Sequence, residues 1–300
     1  MILVTVVIPC YNHENYIADA IESVLDQDYP EIELLVINDG STDNSLSRIK
    51  QVYEKRGGFR FIDQKNTGLV SVLAKGVSTS EGKYFCQLAS DDKLPVTSIS
   101  RRVEYLENHA GAVIVCTDAY KINGTVTTDQ RVTSTRIKEM YNSEDQVEAI
   151  ITGSHPLFSS GLIRREALMK CGGFDDIQFR YYEDLDTPIR LAASGRIGYI
   201  DEPLFYRREH GANVSSDRSM ARIEIIRCYE KIYGLNRFDA YKKILSYRLM
   251  RSYLALGRAI LSGVVTTDEG VKVFRDGVRP YMMRHPFLFY CWLRISVINN

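Results

Sequence analysis

The stretch LLVINDGSTDNS, residues 34–45, decides how this chain folds. Apolar residues suited to a buried strand run directly into Asn38-Asp39-Gly40-Ser41-Thr42-Asp43-Asn44-Ser45. Asn, Asp, Gly and Ser are ordinary turn and helix-cap residues, so a strand, a turn and a cap account for the stretch by themselves. The same groups could instead line a ligand cradle at the carboxyl end of a parallel strand. Its neighbours decide between the two.

LVTVVI (3–8) is a β-branched run of buried-strand length. Residues 15–26 place Ile17, Ala20, Ile21, Val24 and Leu25 on one helical face. IELLVI (32–37) is a second strand, Ser45 to Tyr53 a second helix, and FRFID (59–63) a third strand. Residues 68–79 read as a helix and 84–88 as a fourth strand. This alternation predicts βαβ units and a mostly parallel, twisted sheet flanked by helices. Ligands of such sheets lie beyond the carboxyl ends of the strands. Pro9-Cys10-Tyr11-Asn12, Asn38-Asp39-Gly40 and Ala89-Ser90-Asp91-Asp92 then share one edge. Three polar strand ends on one edge favour the cradle over three unrelated turns.

Further on, a helix is expected at 97–109, a strand at 112–117, a polar loop over 123–146, a helix at 161–171 and another from Tyr182 to about Ser194. From 221 the pattern is helical. Residues 1–220 carry 24 Lys+Arg against 32 Asp+Glu, and 221–300 carry 14 against 6, so an acidic body precedes a basic extension. These ranges are the two expected domains. The net charge of zero gives no sign of a nucleic-acid partner. Cys10, Cys86, Cys116, Cys171, Cys228 and Cys291 include no C-x-x-C pair, which suits a reduced, cytoplasmic chain. MILVTVVIP lacks a basic region and reads as a strand rather than a leader.

The sheet suggests a nucleotide, yet PCYNHEN after the first strand has no glycine fingerprint, and no P-loop is present. Asp91-Asp92 supplies another way to hold phosphates. Adjacent carboxylates at a strand end are costly unless a cation bridges them, and hard oxygen ligands suit Mg²⁺ or Mn²⁺. A helix cap is the alternative, since Lys93-Leu94-Pro95 follows.

From TVVIPCYNHENYIADAIESVLDQDYPEIELLVINDGSTDNS through KNTGLVSVLAKGV, LASDD, GGFD, YEDLD and YRREHGANVS, the chain resembles a family 2 glycosyltransferase of the GT-A fold. The resemblance covers residues 3 to about 216. It implies transfer of a sugar, with inversion, from a nucleotide diphosphate to an acceptor hydroxyl. The expected donor is a UDP-hexose or UDP-N-acetylhexosamine. The acceptor would be a glycan or lipid-linked saccharide of a surface polysaccharide. A GDP- or dTDP-sugar donor, or a sugar-nucleotide-binding protein without turnover, are the alternatives. By the same resemblance Pro9, Tyr11 and Asp39 hold the nucleoside, with Asn12 and Glu14 on the same loop and Lys65 a candidate for the diphosphate. Asp92 is the implied metal ligand, Asp91 lies by the ribose or the metal, and His210 lies near both. Asp184 is the implied general base, with Glu183 near the acceptor. Ser41, Thr42 and Asp43 are expected to cap a helix, and Asp186 to be a surface or supporting group. His13, His109, His155 and His285 receive no role.

Two positions depart from the family. Ala89 stands where many relatives have a further Asp, and Leu73 where many have a diphosphate-facing Arg, for which Lys65 and Lys75 are the candidate substitutes. The end of the chain, RHPFLFYCWLRISVI, joins Phe287, Phe289, Tyr290 and Trp292 to Arg284 and Arg294. Aromatic and basic residues together suit peripheral contact with the inner face of a membrane, in a run too short and charged to span it. Packing on the catalytic domain or in a homodimer is the alternative.

Overall fold

The apolar run that opens the chain becomes β1 (Val4–Cys10), buried at six of its seven positions. It is flanked by β2 (Ile32–Asp39) and β4 (Tyr84–Gln87), both parallel to it. Between them come α1 (Ile17–Leu25), α2 (Ser45–Arg56), β3 (Arg60–Gln64) and α3 (Leu69–Ser78). Ile17, Ala20, Ile21 and Val24 are buried, so α1 packs the face its spacing predicts. With β5 (Ala112–Asn123), β6 (Val126–Arg131), β7 (Leu162–Arg164) and β8 (Arg196–Glu209), the strand order along the edge-to-edge path is β3-β2-β1-β4-β7-β5-β6, with β8 on β5. The first four are parallel, which brings the polar ends of β1, β2 and β4 to one edge. The computed structural model describes residues 2–124, 126–175, 177, 179, 182–210 and 218–298.

The second half of the sheet departs from expectation. After α4 (Ser98–Asn108), β5 runs on to Asn123, and β6 (Val126–Arg131) pairs back against its end. The stretch expected as a loop over 123–146 is therefore a hairpin arm followed by α5 (Thr135–Asn142), which Ser134 caps through its hydroxyl. Most of β6 is exposed, so it carries no apolar alternation for a pattern to detect. After α6 (Gln146–Ile151), the helix expected at 161–171 divides into β7 (Leu162–Arg164) and α7 (Arg165–Lys170). Three residues are too few to show a period, but β7 fills the antiparallel slot between β4 and β5. Then α8 (Glu183–Ala192) leads to β8 (Arg196–Glu209), parallel to β5. The Lys93 and Tyr206 main chains exchange N–H···O bonds of 3.2 and 2.9 Å. This bridge draws the end of β8 to the end of β4.

The chain separates into two units, Met1–Gly211 and Ala212–Asn300. The division precedes residue 220 because α9 (Arg218–Gly234) packs with α10 (Lys242–Leu261) in the second unit. That unit also holds α11 (Asp268–Gly277), α12 (Arg279–Met282) and α13 (Pro286–Ile298). Its core includes Tyr229, Phe238, Leu249, Tyr253 and Phe274. All six cysteines are buried thiols. Among the described residues no helix is long and apolar enough to cross a membrane.

Helix α3 lies so close to β1 that a Cβ on Gly76 would sit 2.9 Å from both γ-carbons of Val7. Alanine favours a helix over glycine by up to about 1 kcal/mol, but overpacking against a stiff β-branched side chain costs about 1–3 kcal/mol. Gly76→Ala should therefore lower the urea midpoint of unfolding. An unchanged or raised midpoint would show that the two elements are less tightly seated.

Candidate active site

The loops after β1 and β2 are laced together. The Asn12 N–H donates to Ser41 Oγ at 3.0 Å, and the Thr42 N–H donates to Asn12 Oδ1 at 2.8 Å. His13 N–H donates to Ser45 Oγ at 2.9 Å, and Glu14 N–H to Asp43 Oδ2 at 3.0 Å. Glu14 Oε2 accepts from both the main-chain N–H and the side-chain amide of Asn44, each at 2.8 Å. Asn12 adopts φ of +55°, a left-handed conformation that Asn tolerates well. The side chains of Asn12 and Glu14, expected at a nucleotide, are thus engaged with the neighbouring loop. Ser41 and Thr42 join that lacing, whereas Asp43 Oδ1 also takes the Ser45 N–H at the start of α2.

Asp39 is buried at the end of β2. Its Oδ1 accepts from Gln64 Nε2 and Thr67 N at 2.9 Å and from Thr67 Oγ1 at 3.2 Å, and its Oδ2 accepts from Gly68 N at 2.9 Å. A carboxylate offers about four lone-pair directions, so only about one on Oδ2 remains for a ligand. Gln64 in turn accepts from Lys75 Nζ at 2.7 Å, which anchors Lys75 to this network. Leu73 is fully buried, so its side chain belongs to the core. Lys65 is exposed and lines a cleft of about 590 Å³ with Asn38, Gly40, Asp63 and Gln64. Pro9 pairs with Ile37 in the sheet, and the ring of Tyr11 is half-exposed at the strand end.

The densest chemistry lies at the end of β4. Asp91 and Asp92 are both buried. Burial pushes the Asp92 carboxyl well above the usual carboxylate range, and the neighbouring Asp91 charge pushes it the same way. The Arg208 N–H donates to Asp92 Oδ1 at 2.8 Å, and the Arg208 guanidinium donates to the Asp91 carbonyl at 2.8 Å. That guanidinium also lies 4.8 Å from the centre of the Tyr16 ring. His210 Nε2 is 2.9 Å from Asp91 Oδ2, and its ring stacks on Tyr16 with 5.0 Å between centroids. His13 completes the group, its Nδ1 2.7 Å from Ser90 Oγ. Burial lowers the pKa of the His13 imidazolium below its ordinary value, although the Asp91 charge opposes this, so the ring tends to stay neutral.

One donor atom each from His13, Asp91 and His210 lie within 4.8 Å of one another. Two imidazoles and a carboxylate form a donor set suited to a divalent transition ion, and the Ser90 hydroxyl at Nδ1 is a partner that can orient the His13 ring. These residues fit a divalent cation. Asp92, expected as the principal ligand, lies outside this three-residue group and faces the main chain of Arg208. His13, to which the sequence assigned no role, lies inside it. No local spacing signals this, because the three residues come from the ends of different strands.

On α8, Glu183 is buried and its Oε1 lies 3.4 Å from Gln87 Nε2 at the end of β4, whereas Asp184 is exposed. Asp186 is not a surface group. It is 1% exposed and pairs at 2.5 Å with the equally enclosed Arg190, which also donates to the carbonyls of Cys171 and Gly173. Residues 211–215 of the YRREHGANVS motif lie outside the described residues.

The architecture is the GT-A fold. It superimposes on residues 1–349 of Staphylococcus aureus TarS in complex with UDP-GlcNAc with a TM-score of 0.68 at 18% identity, over 98% of this chain and 89% of that one. The mannosyltransferase PcManGT from Pyrobaculum calidifontis, in complex with GDP-Man and Mn²⁺, gives 0.59 at 17% identity, over 99% and 86%. Residues 5–172 match glycosyl transferase family 2, and the chain belongs to that family. It is 32% identical over 215 residues to an uncharacterised glycosyltransferase of Nostoc sp., spanning 70% of this chain and 66% of that one. It is 28% identical over 214 residues to the chondroitin synthase of Pasteurella multocida, spanning 71% of this chain but 21% of the synthase. An uncharacterised glycosyltransferase of Haemophilus influenzae is 37% identical over 108 residues, spanning 36% of this chain and 33% of that one.

Burial alone would raise the Asp43 carboxyl, but bonds from the Ser45 hydroxyl and from the N–H groups of Ser45 and Glu14 hold it below its ordinary value. A depressed carboxyl contributes stability above its unfolded value, about 4, and loses it as pH falls through the folded value. Asp43→Asn should therefore be less stable than the parent at neutral pH, with the gap closing on acidification below about pH 4. Unfolding curves whose separation is independent of pH would contradict an ionised Asp43 in the lacing.

Proposed function

We propose that this protein is an inverting glycosyltransferase that moves a sugar from a nucleotide diphosphate to a hydroxyl of a glycan or lipid-linked acceptor, with Mn²⁺ or Mg²⁺ as cofactor. The observation that carries this reading is the convergence of His13, Asp91 and His210 beside the buried Asp92, at the strand edge where a GT-A sheet binds its donor. Two imidazoles among three donors favour Mn²⁺ over Mg²⁺. When bound, such an ion neutralises charge on the departing diphosphate.

The protein's own groups divide the remaining work. Tyr11 offers an exposed ring for the base, and Asp39, already held by the loop at 64–68, has one acceptor direction left for a base N–H. Lys65 borders the adjoining cleft and can face phosphate. Asp184 is solvent-accessible in the first turn of α8, where an acceptor hydroxyl can reach it. In the reaction the acceptor oxygen bonds to the anomeric carbon from the face opposite the diphosphate. The anomeric carbon–oxygen bond breaks, its electron pair leaves with the diphosphate, and the hydroxyl proton passes to Asp184. Glu183, buried against Gln87, positions the start of α8.

The UDP-GlcNAc complex of TarS and the polymer named in the chondroitin synthase support a UDP-hexose or UDP-N-acetylhexosamine donor and a role in polysaccharide synthesis. The GDP-Man complex of PcManGT keeps a GDP-sugar as the alternative donor. Replacement of the family's Asp and Arg by Ala89 and Leu73 is what favours a binding protein without turnover.

Calorimetry and donor hydrolysis together test the proposal. UDP should bind more tightly with Mn²⁺ than without it, and Asp91→Ala should lose that increment. Asp184→Asn should keep donor binding while transfer falls about 10²–10⁴-fold. Mn²⁺-independent UDP binding would remove the cation from the account. Retention of more than about a tenth of transfer by Asp184→Asn would remove it as the base.

A further inference from the structure

We propose that α13 is a membrane-contact helix whose outer stripe inserts into the interfacial zone of an anionic phospholipid bilayer. The helix is two-faced in a way the bare sequence does not show. Leu288, Cys291 and Ile295 are at most 1% exposed and pack into the second unit. Phe289, Tyr290 and Leu293 are 48%, 49% and 43% exposed. These three follow each other at one, three and four residues, so they form one continuous stripe on the helix surface. Met283, just before the helix, is 96% exposed, and Pro286 in its first turn is also exposed. The sequence groups Phe287 with these aromatics. Instead it is partly buried, with the Arg258 guanidinium 5.2 Å from its ring centre.

Charge selects the occupant of the stripe. Arg279, Arg284 and Arg294 are exposed around it, and no acidic residue occurs from Arg279 to Arg294. Lys272, Arg275 and Arg279 also line a cleft of about 400 Å³ with Trp292, although Asp268 and Asp276 share it. Aromatic rings at headgroup depth, an apolar stripe of shallow reach and a basic rim are the features of a helix that lies in a membrane surface. A second copy of the chain fits less well. In a two-fold dimer the patch would meet itself and bring like-charged arginines together. Among the described residues no helix is long and apolar enough to span a bilayer, and the contact proposed is peripheral.

The chain contains one tryptophan, Trp292, whose ring stacks beside Phe289 at 6.5 Å between centroids, so it reports on this surface directly. The full-length protein should float with vesicles of phosphatidylcholine and phosphatidylglycerol in equal parts, and its tryptophan emission should shift to the blue. Flotation should fail with phosphatidylcholine alone and decline with added salt. Replacing Phe289, Tyr290 and Leu293 together by Ser, all on the solvent side, should preserve the unfolding temperature but lower vesicle affinity at least tenfold. Arg284→Glu with Arg294→Glu should also lower it at least tenfold, as expected for basic groups near an anionic surface. Val126→Ser, at a still more exposed apolar residue in the first unit, should change nothing. Wild-type protein that stays soluble with anionic vesicles, or a serine variant that floats equally well, overturns the proposal. So does a wild-type dimer that the serine variant converts to a monomer, because the stripe would then be a subunit contact.

Discussion

Two carboxylates side by side at the end of a buried strand set the constraint to which the first unit responds. Asp91 and Asp92 both lose solvent, and the Asp91 charge adds to burial in opposing ionisation of Asp92. The fold answers with Arg208, brought back by β8 over more than a hundred residues of sequence. Its N–H meets Asp92 and its guanidinium meets the Asp91 carbonyl and the Tyr16 ring. Arg207 also acts on Asp92 through its charge. The proposed cation would sit against Asp91, and the imidazoles of His13 and His210 stand where they could share in holding it.

Around that corner, the polar stretch after β2 performs a different task from the one its composition suggests. Most of Ser41 to Ser45 binds the residues after β1, so two loops become one rigid edge. Rigidity here bears on function, because His13 is carried on that edge and would be displaced if the lacing opened. Asp39 shows the same economy. Its carboxylate ties β2 to the loop at 64–68 and keeps only a narrow opening toward a ligand.

The parallel half of the sheet was legible because β1, β2 and β4 are largely buried and the helices between the strands carry one apolar stripe. Short-range periodicity records both. The arm formed by β5 and β6 was not legible, since an exposed strand needs no apolar alternation, and neither was the three-residue β7, which exists through its partners. The site divides along the same line. Asp39, Asp91, Asp92, Glu183 and Asp184 sit in local motifs and can be named from the sequence. His13 cannot, because its part depends on Asp91 and His210 arriving from distant strands. Asp186 misled for a related reason. An acid in the first turn of a helix looks solvent-facing until the buried Arg190 one turn later is seen to receive it.

The central claim is that the ends of β1, β4 and β8 together hold a divalent cation. Crystals grown with MnCl₂ and UDP, with anomalous diffraction recorded at the manganese edge, test it most directly. The account predicts one strong peak bonded to Asp91 and His210, with His13 as a further ligand and the diphosphate completing the shell. A peak bound to Asp92 without either histidine, or UDP ordered at the strand ends with no manganese beside it, would contradict it.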